Sequence, residues 1–287
     1  MNLVIIGVAG RMGQALVRAA CELPDQLTLT GAVASTTSKS LGRDAGELAG
    51  VGRLDVRVTD DLAASLARAE VVIDFSQPHA TRSNLTVCRA ARKPLLIGTT
   101  GFPAELNALF DEAAREIPLL VAPNTSIGMT LLLELARVAA RALPPDFDIE
   151  IVEAHHRMKK DAPSGTALAL GKAAAEGRNT TSVTTGAAVA VTSPAGTGAA
   201  VTSPTGTTDR NGARQDGDIG YAVIRGGDIV GDHTVLFAGT GEQVTLGHRA
   251  TDRTIFARGA VRAALWLAGR PPARYFMRNF LGLKTMT

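Results

Sequence analysis

The stretch Leu3-Val4-Ile5-Ile6-Gly7-Val8-Ala9-Gly10-Arg11-Met12-Gly13 decides how the first part of the chain folds. Four apolar residues lead into a glycine-rich turn, which predicts a strand that passes directly into a helix. Glycine lets the backbone come close to a pyrophosphate group, whose charge is favoured by the N–H groups at a helix start. The spacing Gly-x-x-Gly-x-x-Gly differs from the commoner Gly-x-Gly-x-x-Gly. The stretch therefore predicts a dinucleotide-binding turn of a variant type.

Strands and helices alternate through the first half of the chain. After the opening strand, short apolar runs predict strands at residues 27–34, 56–59, 71–75, 94–98 and 119–122, and helical patterns separate them. Short apolar strands separated by helices are typical of a parallel sheet covered on both faces, and right-handed crossovers make it doubly wound. We therefore predict an α/β fold with a doubly wound, dinucleotide-binding domain over residues 1–126.

The pattern changes after Asn124. A long apolar helix at 127–143, a strand at 148–155 and a helix at 165–176 precede closely spaced strands at 221–225, 233–238 and 242–248. Tight turns that contain glycine favour a mixed or antiparallel sheet. We predict a second, α+β domain over residues 127–251, after which residues 252–287, with a helix at 252–268, return to the first domain.

Residues 179–217 differ in composition from the rest of the chain. They are rich in Thr, Gly, Ala, Ser and Pro, and the segment 190–197 nearly repeats at 200–207. Such a segment buries too little apolar area to offset the entropy of ordering it. We predict that it is a flexible surface insertion.

Composition argues against several classes of protein. The chain has 287 residues, of which 45% are hydrophobic and 20% charged, and a net charge of only +3, so we expect no nucleic-acid partner. Cys21 and Cys88 form no Cys-x-x-Cys pair, which argues against a disulfide framework or a zinc site. No apolar run reaches the ~18 residues of a membrane span, and the N-terminus leads straight into a strand. We expect a cytoplasmic protein without a membrane partner.

Polar turns follow three of the predicted parallel strands. They are Asp-Phe-Ser-Gln-Pro at 74–78, Gly-Thr-Thr-Gly at 98–101 and Ala-Pro-Asn-Thr at 122–125. Ligands of open α/β sheets bind at the carboxyl ends of strands, so we expect these turns to enclose the nicotinamide half of a dinucleotide. The second strand continues as Ala34-Ser35-Thr36-Thr37-Ser38-Lys39, without the carboxylate that usually selects NAD. Hydroxyl groups and a lysine suit a 2′-phosphate better.

The sharpest local signal is the segment 153–166, Glu-Ala-His-His-Arg-Met-Lys-Lys-Asp-Ala-Pro-Ser-Gly-Thr. Two histidines and two lysines lie at the end of a strand, and Pro-Ser-Gly-Thr begins a helix, where N–H groups attract an anion. A solvated basic turn before a Ser-capped helix is the simpler alternative. Adjacent histidines on a strand point to opposite faces, which argues against a metal site. No aromatic residues interleave with the cations, as a nucleic-acid surface would require.

These motifs resemble the bacterial dihydrodipicolinate reductase family, which reduces 4-hydroxy-tetrahydrodipicolinate in lysine and diaminopimelate biosynthesis. The resemblance covers nearly the whole chain apart from the insertion, in the segments 7–13, 74–78, 98–101, 122–129, 153–168, 225–238 and 248–266. It implies an oxidoreductase that uses NADPH or NADH and a small cyclic dicarboxylate substrate. It also implies a homotetramer, with substrate binding and oligomerisation assigned to the second domain.

The resemblance further implies roles for individual residues. His155 corresponds to the proton donor and acceptor, Lys159 to a second proton donor, and His156, Gly165 and Thr166 to contacts with the substrate carboxylates. The implied cofactor contacts are Gly7, Val8, Ala9, Gly10, Arg11, Met12, Gly98, Thr99, Thr100, Ala122, Pro123, Asn124 and Thr125, and no metal is implied. Such roles are chemically coherent, since a dicarboxylate needs two anion sites and the enamine left by hydride addition needs an acid. Histidine is the side chain best suited to that work near neutral pH.

The chain departs from the family pattern in three places. Ala34-Ser35 replaces an acidic or Arg-containing turn, Thr125 stands where phenylalanine is common, and the insertion is longer than expected. Two other functions stay open at this point. An aldehyde dehydrogenase of the aspartate-semialdehyde type needs a nucleophilic cysteine beside the nicotinamide, and residues 124–126 contain none. A non-catalytic nucleotide sensor would not need His155 or Lys159.

Overall fold

The computed structural model describes residues 1–178, 182–185, 188–191 and 217–283. The chain forms two compact units, Met1–Ile127 with Thr254–Thr287, and Gly128–Arg253. Most of the predicted insertion at 179–217 lies outside the described residues, and so does its repeated segment from residue 192 onward.

The first unit is built on a seven-stranded parallel sheet in the order β13-β6-β5-β4-β1-β2-β3. Its strands are β1 (Asn2–Ile6), β2 (Thr28–Val33), β3 (Val58–Thr59), β4 (Val71–Asp74), β5 (Leu95–Ile97), β6 (Pro118–Val121) and β13 (Ala273–Tyr275). Its helices are α1 (Arg11–Cys21), α2 (Ala45–Ala49), α3 (Leu62–Ser65), α4 (Pro78–Ala90), α5 (Leu106–Ala113), α8 (Thr254–Leu267) and α9 (Met277–Phe280). Along the chain, β2 and β3 are added on one side of β1, whereas β4, β5 and β6 are added on the other. Open α/β sheets bind ligands at such a switch in strand order, at the carboxyl ends of the strands.

The apolar strands of this sheet are buried on both faces, as the sequence predicts. Successive side chains of a strand point to opposite faces of the sheet and pack into two separate cores. In β1, Leu3 and Ile5 belong to one core and Val4 and Ile6 to the other. Helices α1 and α8 cover the first side, and α4 and α5 cover the second. This arrangement is characteristic of a sheet with helices on both faces.

The second unit carries a four-stranded mixed sheet in the order β10-β7-β11-β12. Its strands are β7 (Asp148–His155), β10 (Ile219–Arg225), β11 (Gly231–Gly239) and β12 (Glu242–Ala250), with β10 parallel to β7 and β11 antiparallel to both β7 and β12. Helices α6 (Ile127–Ala142) and α7 (Gly165–Gly177) share a core with the odd-numbered residues of β7 and β11. The predicted fold class, a doubly wound parallel domain plus an α+β domain with a mixed sheet, is confirmed.

Several short elements were not predicted. They include α2, β13, α9 and a hairpin inside the insertion, in which β8 (Ser182–Thr185) pairs antiparallel with β9 (Ala188–Val191). Within the described ranges, none of the helices has the length and apolar character needed to cross a membrane. The same residues contain no group of three His, Cys, Asp or Glu side chains that could hold a metal ion.

Candidate functional site

The glycine turn after β1 is held by two hydrogen bonds from its own backbone. Gly7 N and Val8 N both donate to Val33 O, at 2.8 and 3.1 Å, and Gly7 has a φ of +86°, which favours glycine. A Cβ at Gly7 would lie 2.6 Å from Phe75 O, and a Cβ at Gly13 would lie 2.2 Å from Gly7 O. Gly7 is therefore needed because of its positive φ and the adjacent loop after β4, and Gly13 because the start of α1 packs directly on the turn.

The start of α1 presents backbone rather than side chains. Gly10 caps the helix without a side-chain hydrogen bond, and both Gly10 and Arg11 are exposed. The first N–H groups of a helix and the positive end of its dipole favour a phosphate group. The turn thus fits the pyrophosphate of a dinucleotide cofactor.

Two further predicted loops lie at the same edge of the sheet. Since β1, β4, β5 and β6 are adjacent and parallel, the segments that follow them meet at one edge. Gly98 packs on the ring of Phe75, where a Cβ would come within 2.0 Å of Phe75 Cζ. The buried Thr99 donates its hydroxyl to Ser76 O at 3.2 Å, while Thr100 is exposed. The loops after β4 and β5 therefore support each other.

A buried carboxylate holds the loop after β4. Asp74 is completely buried and accepts hydrogen bonds from Ser76 N at 2.8 Å and from Asn84 Nδ2 at 3.0 Å. Burial raises the pKa of Asp74, although the hydrogen bonds from Ser76 and Asn84 act in the opposite direction. Asp74 supports the loop and is not one of the predicted cofactor contacts.

The loop after β6 is tied to the sheet and to α8. Ala122 N donates to Ile97 O at 2.9 Å, and Ser126 N donates to Asn124 Oδ1 at 2.9 Å. The hydroxyl of Thr125 donates to Phe256 O at 2.6 Å. The side chain of Thr125 is therefore engaged with α8 and buried, so it is not presented to a cofactor.

The end of β2 is the place where an NAD site would carry an acid. Ala34 is buried, and the exposed groups that follow it are hydroxyls, with Ser35 Oγ 3.4 Å from Thr37 Oγ1. Lys39 is exposed as well. The local chemistry is neutral to cationic, as the sequence indicates.

In the second unit, four side chains meet at the end of β7. Cross-strand pairing sets Arg225 opposite His155, and His233 opposite Glu153. Since cross-strand partners share a face and residues i and i+2 do too, all four lie on the side of the sheet that α6 and α7 cover. Glu153 contacts His155 Nδ1 at 2.5 Å and pairs with both terminal nitrogens of Arg225 at 2.8 and 2.9 Å.

The start of α7 joins this cluster. Ser164 N donates to Glu153 Oε1 at 3.0 Å, and the Ser164 hydroxyl accepts from Ala167 N at 3.1 Å as the helix cap. A Cβ at Gly165 would meet no atom within 4 Å, so the backbone there is accessible. The predicted anion site at Gly165 and Thr166 thus lies next to the predicted acid–base group, His155.

Lys159 lies in the turn between β7 and α7. Its Nζ bonds both oxygens of Asp161, at 2.7 and 2.8 Å, and its side chain is 19% exposed. Partial burial acts to raise the pKa of Asp161, but the hydrogen bond from Lys159 prevails and lowers it. The side chain of Lys159 is therefore fixed in this turn by its contact with Asp161.

His233 is a member of the cluster that the sequence analysis missed. Its ring packs edge-on against His155 at 5.1 Å, and its Nε2 lies 3.1 Å from Ser164 Oγ. Burial, with the nearby charge of His155, lowers the pKa of His233 to about 4. The signal was present, because the alternation His233, Val235, Phe237 places this histidine on the buried face of β11.

Comparison with known proteins agrees with both halves of this description. Residues 1–125 match the family model described as "Dihydrodipicolinate reductase, N-terminus", and residues 128–281 match "Dihydrodipicolinate reductase, C-terminus". A 4-hydroxy-tetrahydrodipicolinate reductase from Alkalilimnicola ehrlichii is 50% identical over 98% of this chain and 99% of the relative. One from Hahella chejuensis is 45% identical over 99% of each chain.

Solved structures agree on the fold. The dipicolinate-bound dihydrodipicolinate reductase from Paenisporosarcina sp. TG-14 superimposes with a TM-score of 0.72 at 24% identity, over 96% of this chain and 97% of that one. An amine dehydrogenase from Mycobacterium smegmatis has a TM-score of 0.59 at 16% identity, over 96% and 94%. The activity that the family match gives is the NAD(P)H-dependent reduction of 4-hydroxy-tetrahydrodipicolinate in lysine and diaminopimelate biosynthesis. With both family models and the close relatives in agreement along its length, this chain belongs to the dihydrodipicolinate reductase family.

Proposed function

We propose that His155 and Lys159 move the protons in this reduction. The reaction takes up a hydride and a proton and releases water as the ring loses its 4-hydroxyl group. The bound nicotinamide cofactor supplies the hydride. His155 would protonate the carbon of the enamine that hydride addition leaves, and Lys159 would serve as a second donor. The observation that carries the proposal is the contact of the ionised Glu153 with His155 Nδ1, which leaves the other ring nitrogen for the substrate.

The substrate carboxylates would bind at two places next to this ring. One is the start of α7 at Gly165 and Thr166, where backbone N–H groups favour an anion. The other is His156 with the cations of the same turn. The proposal gains support from the Paenisporosarcina protein, whose structure was solved with dipicolinate bound.

Substitution of the two proton donors tests the proposal. We expect His155→Gln and Lys159→Ala each to lower kcat by about 10²- to 10⁴-fold, the usual range for lost proton transfer. The KM for the cofactor should hardly change, because neither residue belongs to the glycine turn or the loops beside it. Steady-state kinetics with 4-hydroxy-tetrahydrodipicolinate measure both quantities. Near-normal turnover in both variants would show that the proton comes from elsewhere.

Inhibition by pyridine-2,6-dicarboxylate tests the two anion sites. This flat molecule carries both carboxylates of the substrate, so we expect it to compete with the substrate. Inhibition that does not depend on substrate concentration would rule out a shared dicarboxylate site.

We propose that the cofactor binds to the predicted residues of the first unit and that NADPH is used at least as well as NADH. The residues are those of the glycine turn, Gly7, Val8, Ala9, Gly10, Arg11 and Met12, and of the two loops, Gly98, Thr99, Thr100, Ala122, Pro123, Asn124 and Thr125. Ala34 carries no charge that could repel a 2′-phosphate. Two exposed cations are available to attract one: Arg11 belongs to the glycine turn, and Lys39 follows the end of β2.

The ratio of kcat/KM for the two cofactors tests this preference. We expect Ala34→Asp to shift the ratio toward NADH, since a carboxylate at the end of β2 repels the phosphate and accepts hydrogen bonds from a free ribose. A strong preference for NADH in the unaltered enzyme would contradict the proposal.

We also propose that the enzyme is a cytoplasmic homotetramer. Both cysteines are free thiols, in agreement with a reducing compartment.

On β10, Ile224 is 51% exposed, which suits a sheet face that is covered by another subunit. Light scattering should give four times the 29.7 kDa of one chain, and the mass of a monomer would rule the tetramer out.

A further inference from the structure

We propose that Glu153 is a positioning residue for the reduction, which fixes the ring of His155 with its proton on Nδ1 and joins that ring to the start of α7. The inference rests on the proposed role of His155. Glu153 is the first residue of the sequence Glu-Ala-His-His, and the sequence alone indicates no role for it.

The carboxylate of Glu153 is completely buried and fully engaged. Its Oε2 contacts His155 Nδ1 at 2.5 Å and Arg225 Nη1 at 2.9 Å. Its Oε1 accepts from Ser164 N at 3.0 Å and from Arg225 Nη2 at 2.8 Å. A buried carboxylate with four contacts cannot rotate without breaking several of them, so it is a rigid support.

These contacts determine the ionisation state of Glu153. Burial alone would raise the pKa of the carboxyl group, but the hydrogen bonds from His155, Arg225 and Ser164 N hold it at about 2. An ionised carboxylate only accepts hydrogen bonds. His155 Nδ1 must therefore carry a proton, and in the neutral ring Nε2 is the basic nitrogen.

The other ring nitrogen of His155, Nε2, faces the backbone of β11 at Gly231. Gly231 on β11 lies opposite His155, and a Cβ there would approach Nε2 to 3.1 Å. The titratable and charged groups that face the ring are Glu153 on its own strand, Arg225 from β10 and His233 from β11. Arg225 is anchored in turn, because it also donates to Asp161 O at 2.7 Å.

One carboxylate thereby holds two parts of the proposed site in register. It orients the acid–base ring through Oε2 and the first residues of α7 through Oε1. A shift of about 1 Å between such parts can cost on the order of 10²-fold in rate. Removal of this carboxylate would take away both a negative charge and a hydrogen-bond acceptor beside the ring.

Glu153→Gln tests this role, with Glu150→Gln on the opposite face of β7 as the matched control. We expect Glu153→Gln to lower kcat by about 10²-fold, with the cofactor KM unchanged and the alkaline limb of the rate–pH profile moved to lower pH. A residue that only stabilised the fold would not move that limb. The double variant Glu153→Gln/His155→Gln should be no slower than His155→Gln alone, because the two act as a unit.

The outcomes separate this inference from the function on which it rests. If His155→Gln loses turnover while a folded Glu153→Gln keeps both its rate and its pH profile, the positioning role is wrong and the role of His155 stands. If His155→Gln itself turns over normally, the proposed function fails first.

A second measurement needs no substitution at Glu153, whose removal leaves Arg225 unpaired. Nitrogen NMR of histidine-labelled enzyme shows which ring nitrogen carries the proton, and His155→Gln identifies the signal. We expect the proton of the neutral ring on Nδ1. A proton on Nε2 would overturn the proposal whether or not the variant folds.

Discussion

Gly231 keeps space open beside the ring nitrogen of His155 that faces away from Glu153. A Cβ at this position would lie 3.1 Å from His155 Nε2 and 3.4 Å from Cδ2, closer than most contacts of a Cβ. The ring cannot move away freely, because Nδ1 is held by a buried carboxylate. An added methyl group would therefore tilt the ring or block its approach to the substrate.

We expect Gly231→Ala to lower kcat by about 10- to 10²-fold, in line with the cost of small displacements in an active site. Gly226→Ala is the control, since a Cβ there meets no atom within 4 Å although Gly226 N bonds His155 O. Kinetics of the two variants, with melting curves, measure the effect. Equal rates in both would mean that Nε2 does not need this space.

At the scale of elements, the sequence predicts those features that depend on contacts between residues close together in the chain, and not those that depend on distant residues. The strand, turn and helix at Gly7–Gly13 depend on neighbouring residues, so their pattern alone predicts them. The link between Glu153 and Arg225 joins residues 72 positions apart and could not be predicted without the pairing of β7 with β10. In the structure Glu153 continues the buried alternation of Ile149 and Ile151, but a strand pattern alone does not identify the cation that such a glutamate contacts.

Gly171 in helix α7 packs so closely against strand β10 that there is no room for a side chain. A Cβ at Gly171 would lie 1.8 Å from the hydroxyl oxygen of Tyr221 on β10, and Tyr221 is 2% exposed and cannot turn outward. Alanine is the better helix former by about 1 kcal/mol, but forcing an extra group into a packed core typically costs about 1–3 kcal/mol. Packing should prevail over helix propensity here.

We therefore expect Gly171→Ala to lower the melting temperature, and Tyr221→Phe to restore much of the loss in a double variant. The hydroxyl of Tyr221 has no hydrogen-bond partner among the described residues, so its removal alone should cost little. Thermal unfolding of the three variants and the unaltered enzyme completes the cycle. An equal loss in both backgrounds would show that the hydroxyl is not the obstacle.

At the scale of the whole molecule, buried ionisable groups make stability depend on pH. Burial and the charge of His155 lower the pKa of His233 to about 4 from an ordinary value of 6.5. Between pH 6.5 and pH 4, the histidine is protonated in the unfolded chain but stays neutral in the folded chain. The free energy of unfolding therefore falls as pH falls from 6.5 to 4, by about 3 kcal/mol for this one group.

Glu153 extends the loss into more acidic solution. Its folded pKa of about 2 is below the ordinary value of 4.5, so its stabilising contribution is present above pH 4.5 and is lost as pH falls toward 2. The two groups act in successive ranges, which makes the contribution of His233 measurable by itself at mildly acidic pH.

We expect melting temperatures recorded between pH 7 and 4.5 to fall less steeply for His233→Gln than for the unaltered enzyme. Glutamine can keep a hydrogen bond to the Ser164 hydroxyl but cannot take up a proton. The variant should melt lower at pH 7, since the packing against His155 changes, and the two curves should converge as the solution is acidified. His79→Gln is the matched control, because it makes the same substitution at an exposed histidine on α4. If His233→Gln shows the same slope as the unaltered enzyme, the buried histidine is not the group that binds the extra proton on unfolding.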